Sequence, residues 1–500
     1  MLLIAKGVTD MKHRSVILDT LAVCLVLLAV SSCGEESGQT PAQETGACGS
    51  GTSAEEAADA GPRAEDLGQY DFDGYKFRVI AYDEYPADIT EPSANMIDNS
   101  IYERNTHVEE VFNIEFVETR YPYAQYNDVN ALLCNAGLAQ SDDYDLYTVV
   151  HRHAHSAVLQ GYVPAASDMP SVDLTQPWYL QELNKSLTIR GVTLLAYTAY
   201  DKNPGGYAVF FNKKIISELA LENPYQLVDD GIWTSERLYK MAQEAISDVD
   251  GNGKMEIGDR FGIITEQDNL TDLAYRGSGE RLVDFSVDPP AVNVSERLND
   301  VCSMILPYTQ IKGFIFNPFT EFGLTEESRF KGNEEFAADR ALFLVRGTDT
   351  LTALGNMESD YGIVPFPKYN EEQERYYVGI DGSRIAVPLG CSADLNRVCL
   401  VKEALAIESL RYTYPAYYEN ALKNRYVRDE DSIRMLEIIT DSNIFDLGAS
   451  IWSDIVREPW MSNIVSGKGN FISAVQKNEK QAQKVIGELL EQVAALSDET

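Results

Sequence analysis

Basic residues are in short supply in this chain. Its 41 Lys and Arg face 78 Asp and Glu, for a formal net charge of −37. Phosphate recognition needs a basic face, so this balance excludes nucleic acid as a partner. It also excludes a polybasic membrane contact and favours a soluble, self-repelling surface. Cysteine is sparse at seven residues, with no CxxC pair and no metal-ligand spacing. Such a count in an exported chain of 500 residues builds no disulfide framework, although a Cys391–Cys399 bridge is open. Histidine is scarcer still at five, three of them in one cluster. There is no GxSxG, no HExxH, no P-loop and no GxGxxG in a strand–helix setting. Those absences weigh against catalysis. Paired carboxylates for glycoside hydrolysis stay open, because spacing in space is invisible in sequence.

The one long apolar run lies near the N-terminus. Lys12, His13 and Arg14 precede residues 16–30, which end in Val30-Ser31-Ser32-Cys33. The run is too short for a comfortable membrane span and closes on small residues, as a secretion signal does. The ending resembles the lipobox of bacterial lipoproteins, so Cys33 is the expected lipidation site. Met11 is an alternative start to Met1. The expected location is the extracellular face of the cell membrane, held by the lipid alone. Residues 34–69 are rich in Gly, Ala, Ser, Glu and Thr and hold one large apolar residue, Leu67. They read as a disordered acidic linker.

The hydrophobic fraction of 44% and aromatic fraction of 10% are globular, and the length calls for more than one core. From Tyr70 onward, strand and helix patterns alternate. YKFRVIAY, FNIEFVET, YDLYTVV, GVTLLAYTAY, YAVFFNKK, RFGIITE, ALFLVRG, YGIVPFP and SRIAVP read as strands. Helical spacing is expected over 97–112, around 128–139, in WTSERLYKMAQEAIS with Thr234 as N-cap, and over 472–496. The alternation predicts an α/β class.

The most specific motif is DVDGNGKMEIGD at 248–259. An EF-hand-type loop takes oxygen ligands from positions 1, 3, 5, 7, 9 and 12, with Gly at 6. Here these are Asp248, Asp250, Asn252, Lys254 through its carbonyl, Glu256 and Asp259, with Gly253 at the turn. Met255 can point into the core. Only the last position departs, Asp replacing Glu. A polar turn formed by chance is the bland alternative. A strand, not a second helix, follows the loop, so the expected role is a structural Ca2+ clasp rather than a sensor.

His151-Arg152-His153-Ala154-His155 directly follows a strand. In open α/β sheets ligands bind beyond the carboxyl ends of strands, which favours a loop lining a cleft. A structural loop and a metal site are the alternatives. Aromatics at Trp178, Tyr179, Tyr197, Tyr200, Tyr207, Trp233 and Tyr275 lie near predicted element ends. Flat rings with polar edges suit sugars; core packing is the competing reading.

The order of segments resembles the family 1 extracellular solute-binding lipoproteins of bacterial ABC importers, related to maltose-binding proteins. The likeness is carried by DFDGYKFRVIA, MIDNSIYERNTHVEEVFNIEFVET, the run from YDLYTVVHRHAH to Pro177-Trp178-Tyr179, GGYAVFFNKKII, FAADRALF at 336–343, YGIVPFPK, SRIAVP and PAYYENALKNRYVRDEDSIRML. Pro177-Trp178-Tyr179 stands where close relatives carry Pro-Trp-Trp. The resemblance implies a two-lobed, periplasmic-binding-protein-like fold of type II, with hinge strands and a ligand cleft that closes on its solute. It places lobe 1 at 70–202 plus 384–425 and lobe 2 at 203–383 plus 426–500. It also implies a carbohydrate ligand, permease subunits of an importer as partners, a monomeric body and no enzymatic activity. A secreted, calcium-stabilised glycan-active enzyme and a sensor or adhesion lipoprotein are the alternatives. Placement near strand ends and hinge strands nominates His153, Trp178, Tyr200, Arg276, Arg346 and Asp381 as ligand contacts.

Overall fold

The computed structural model describes residues 61–498, apart from 84, 123–124, 202–205, 324–325, 349, 381–383, 391–393, 417–428, 453–454, 456 and 458–470. Its frame is a set of strands: β1 (Tyr75–Tyr82), β2 (Ile114–Tyr121), β3 (Leu146–Val150), β4 (Tyr207–Asn212), β5 (Phe261–Ile264), β6 (Ile315–Phe316), β7 (Ala341–Gly347), β8 (Tyr361–Pro365) and β9 (Arg384–Pro388). They form two separate sheets. The first has four strands in the order β9-β3-β1-β2, and the second has five in the order β6-β5-β7-β4-β8. The chain leaves the first sheet after β3, completes the second, and returns through β9, which pairs antiparallel with β3. This is the expected two-lobed α/β architecture, with two crossings between sheets.

The strand sequences explain their positions. YAVFFN and ALFLVRG are buried along their whole length, as central strands covered on both faces must be. β4 and β7 pair antiparallel from Phe211↔Phe343 to Tyr207↔Gly347. Parallel β1 and β2 pair in register from Tyr75↔Ile114 to Tyr82↔Tyr121, joined by helix Met96–Phe112. Asn95 caps that helix, its side chain accepting from the Ile97 and Asp98 N–H groups. Asn113 ends it in the left-handed conformation at φ 50. Thr234 does precede helix Ser235–Ala245, but its side chain makes no capping hydrogen bond.

Several expectations are corrected. Ordered structure begins before Tyr70: residues Ala64–Leu67 form a 3-10 turn, and Ala64 is fully buried. Its N–H donates to the buried Glu408 carboxylate at 2.7 Å, which draws the end of the presumed linker onto helix Leu395–Arg411. The segment GVTLLAYTAY is not one long strand. Val192–Thr193 is a short strand and Thr198 makes a single bridge to Tyr179, because Asp201 accepts from the Thr198 N–H at 2.7 Å and the Thr198 hydroxyl at 2.8 Å and folds the chain into a turn. The other oxygen of Asp201 accepts the Ala386 N–H of β9 at 2.6 Å, so this turn also fastens the returning strand. The histidine segment is a helix, His151–Leu159, not a loop. Cys399 is a buried free thiol whose pKa burial pushes up to about 12, and Cys391 lies outside the described residues. Cys33 and the signal segment lie outside the described residues.

The C-terminal helix Phe471–Asp498 buries Ala482, Ile486, Leu489, Leu490 and Val493, the expected apolar face. It packs against helix Glu296–Thr309 on one side and helix His151–Leu159 on the other. Among the described residues no helix is long and apolar enough to cross a membrane.

Close packing around β8 yields a test. A Cβ on Gly362 would lie 2.3 Å from both Phe211 Cζ and Tyr225 Oη. Gly362→Ala is therefore expected to lower stability by ~1–3 kcal/mol through overpacking. Urea unfolding with an unchanged midpoint would show that β4 and β8 yield without cost.

Candidate functional site

The second sheet carries a buried polar cluster at the carboxyl ends of β5 and β7. Glu266 follows β5 and leads into helix Gln267–Gly277, while Arg346 is the penultimate residue of β7. Their side chains are 5% and 2% exposed and form an ion pair through Arg346 Nη1. Asn269 Nδ2 donates to the other Glu266 oxygen at 2.7 Å. Arg346 Nε and Nη2 are buried and have no hydrogen-bond partner. These two donors share one edge of the guanidinium, the geometry that grips paired oxygens.

The same helix continues the cluster. Asp272 pairs with Arg276 at 2.8 Å, one turn on, and with Arg457 at 2.8 Å from the C-terminal region. Burial pushes the Asp272 carboxyl up, but Arg276 and Arg457 outweigh it and hold its pKa below the ordinary value. Gly379 lets a second backbone approach: a Cβ there would lie 2.3 Å from Arg276 Cδ. Tyr275 Oη donates to Asp446 at 3.2 Å, and the Leu282 N–H reaches the same oxygen at 2.8 Å. Burial lowers the pKa of neighbouring Arg281, although Asp446 opposes it.

Residue 446 belongs to a segment that also packs on helices Gln181–Lys185 and His151–Leu159. Asn443–Ile444 pairs with Val378–Gly379, and Asp446 caps helix Leu447–Ile451 through the Ala449 N–H at 3.0 Å. Phe445 packs on His151 with centroids 4.4 Å apart, and His151 stacks on Tyr197 at 5.0 Å. His151 Nε2 lies 3.0 Å from His155 Nε2. Burial and then His155 pull the His151 pKa well below the ordinary value. The two histidines are thus core groups at the meeting of the halves, not cleft-lining loop residues.

The nominated contacts separate. Arg276 and Arg346 fall in the polar cluster. Trp178 and Tyr200 fall in the apolar core under the first sheet, at 7% and 8% exposure. Trp178 Nε1 donates to Glu403 at 2.5 Å, Tyr179 Oη donates to the same carboxylate, and Tyr200 lies under the Arg104 guanidinium at 4.8 Å. Both nominated rings are therefore occupied with packing rather than presented to a solute. The His153 side chain and Asp381 lie outside the described residues. Glu266, Asp272, Asp446, Arg457 and Glu403 were not foreseen. One signal was available: TEQDNLTDLAYRG spaces Glu266, Asn269, Asp272 and Arg276 at three- and four-residue steps, a polar stripe between buried Leu270, Leu273 and Ala274.

The 248–259 loop is a second candidate. The carboxylates of Asp248, Asp250 and Asp259 each offer an oxygen within 4.8 Å of the others. Asp248 accepts from the Gly251, Asn252 and Gly253 N–H groups, and the Gly253 bond at 2.7 Å leads in holding its carboxyl below the ordinary value. Gly251 and Gly253 sit at φ 71 and 81, conformations that glycine adopts freely. Asn252 Nδ2 donates to Asp250 and Glu256, and the Lys254 N–H donates to Asn252 Oδ1. Asp259, 2% exposed, accepts from the Val249 and Glu256 N–H groups and closes the ring. Met255 packs against the core, as its position in the loop predicts.

No protein-family model matches this sequence. No match was found among curated proteins either. Solved structures share the fold. UspC of M. tuberculosis is similar at 14% identity, with 81% of this chain and 99% of that one covered and a TM-score of 0.56. The ABC substrate-binding protein Lmo0181 from Listeria monocytogenes, solved with cycloalternan, is 11% identical over 83% of this chain and all of its own, with a TM-score of 0.52. The GacH receptor of Streptomyces glaucescens, solved unliganded and with acarbose, is 14% identical over 83% of this chain and 99% of its own, with a TM-score of 0.51.

The buried Asp272 predicts a pH signature. A carboxylate with a depressed folded pKa contributes its full stability above its unfolded value of ~3.9 and loses it as pH falls through the folded value. Asp272→Asn is expected to cost ~3–5 kcal/mol at pH 7, as loss of one partner of a buried ion pair does. The gap between the two proteins should narrow as pH falls below ~4. Urea melts showing an equal gap at both pH values would contradict this account.

Proposed function

We propose that this chain is a receptor that captures a carbohydrate, an oligosaccharide, and delivers it to the membrane subunits of an ABC importer. The reading is of a binding protein without catalysis, monomeric and tethered outside the cell by a lipid on Cys33. Its lobes run over 70–202 plus 384–425 and 203–383 plus 426–500. The observation that carries it is Arg346. Two guanidinium donors are held dry at strand ends, beside a neutralising Glu266, in a fold whose relatives were solved with acarbose and cycloalternan. Sugar hydroxyls offer paired oxygens to such an edge, and closure of two lobes is the motion that brings them there.

A thermal-shift screen of the mature chain against mono- and oligosaccharides tests this. A ligand at ~100 times its dissociation constant adds ~2.7 kcal/mol, and each kcal/mol moves the midpoint by ~2–4 °C. The expected result is a shift confined to a few related glycans that Arg346→Met abolishes. A panel without any shift would remove the sugar reading.

We also propose that the 248–259 loop binds Ca2+ as a structural clasp between helix Ser235–Ala245 and β5. Asp248, Asp250, Asn252, Glu256, Asp259 and the Lys254 carbonyl would hold the ion, whose role there is to neutralise the gathered carboxylates. Oxygen donors alone suit a hard cation. EDTA is expected to lower the melting temperature of the wild type by several degrees and to leave Asp250→Ala unmoved. An EDTA response that persists in the variant would place the calcium elsewhere.

A further inference from the structure

On other elements than the polar cluster, the N-terminal 3-10 turn meets two helices of the first half. Glu65 comes from the turn Ala64–Leu67, His107 from helix Met96–Phe112 and Glu408 from helix Leu395–Arg411. His107 Nε2 lies 3.3 Å from Glu65 Oε1 and 3.7 Å from Glu408 Oε1. One nitrogen and two carboxylate oxygens thus lie within 4.8 Å of one another. His107 Nε2 is buried and makes no hydrogen bond. Glu408 is fully buried, and its orientation is set by the Ala64 N–H on Oε1 at 2.7 Å and by Arg411 Nη1 on Oε2 at 3.2 Å.

The distances discriminate between two arrangements. A charged imidazole that donates to a carboxylate closes to ~2.7–2.9 Å. Two ligands each ~2.0–2.2 Å from a tetrahedral zinc ion stand ~3.3–3.6 Å apart. The spacings of 3.3 and 3.7 Å lie outside the first range and close to the second. An imidazole nitrogen beside two carboxylates also suits zinc better than calcium, which takes oxygen alone. Glu65 is half exposed, which leaves room for water as a fourth ligand.

We propose that Glu65, His107 and Glu408 form a site for a divalent transition-metal ion of the zinc class. Bound there, the ion joins three segments distant in sequence. It clasps the turn Ala64–Leu67 to the folded body. Arg411 and the Ala64 N–H act behind the ligands by fixing the Glu408 carboxylate.

Zinc titrated into the full mature chain with calcium saturating tests the site, read by calorimetry and by melting temperature, with cobalt as a spectroscopic substitute. One zinc ion per chain, a melting temperature raised by several degrees and visible cobalt bands of a tetrahedral nitrogen–oxygen site are expected. His107→Gln should weaken zinc binding by more than ~100-fold and Glu65→Gln by ~10-fold or more, both with unchanged calcium response. Glu65 is a surface residue, so its variant remains informative if His107→Gln folds poorly. His153→Gln is the control for the other histidine cluster and should bind as the wild type does. Absence of zinc binding by the wild type, or binding that both variants retain, would reduce the triad to a simple ion pair.

Discussion

One buried carboxylate ties together three segments beside the meeting of the two halves. Asp446, 1% exposed, accepts from Tyr275 Oη, the Leu282 N–H and the Ala449 N–H. Those donors belong to helix Gln267–Gly277, to the loop after it and to helix Leu447–Ile451. A carboxylate this deep persists only when each lone pair is answered, so the donors cannot drift independently. Phe445, next in the chain, then seats on His151 and transmits the position of this segment to the first sheet's helix. Where the chain returns to the first sheet, buried Asp201 holds the Ala386 N–H of β9 and pins that strand.

Charge is partitioned between surface and interior. The whole molecule is strongly acidic. Yet the polar cluster places Arg276, Arg281, Arg346 and Arg457 against Glu266, Asp272 and Asp446, four cations to three anions. A donor-rich interior beneath an acidic exterior suits a neutral, oxygen-rich solute better than a polyanion, which the surface would repel. Arg276, Arg346 and Arg457 are each steered by a carboxylate, so their remaining donors are held in place. Preorganisation of that kind reduces the ordering cost of binding.

Elsewhere acids serve the frame. Glu403 collects Trp178 and Tyr179, and burial raises its pKa despite both donors. Aromatic residues that read as sugar platforms are thereby drawn into the core. The amphipathic character that suits a ring to a ligand suits it equally to a buried acid.

The sequence by itself determined the α/β class, nearly every strand, the long C-terminal helix and the loop at 248–259. These depend on local periodicity, glycine placement and short-range ligand spacing, which are properties of neighbouring residues. Arg276 and Arg346 lie where the sequence places them, each near the end of an element with a clear apolar pattern. Trp178 and Tyr200 went astray because an aromatic beside a loop has the same local signature in a cleft and in a core. Only the tertiary structure decided between them, by bringing Glu403 from 225 residues away to Trp178. It likewise decided that the histidine segment is a buried helix start, that Asp272 lies between two arginines and that Glu65 faces His107 and Glu408. Each of those outcomes joins groups far apart in the chain, and burial and electrostatics act on distance in space, which sequence spacing does not encode.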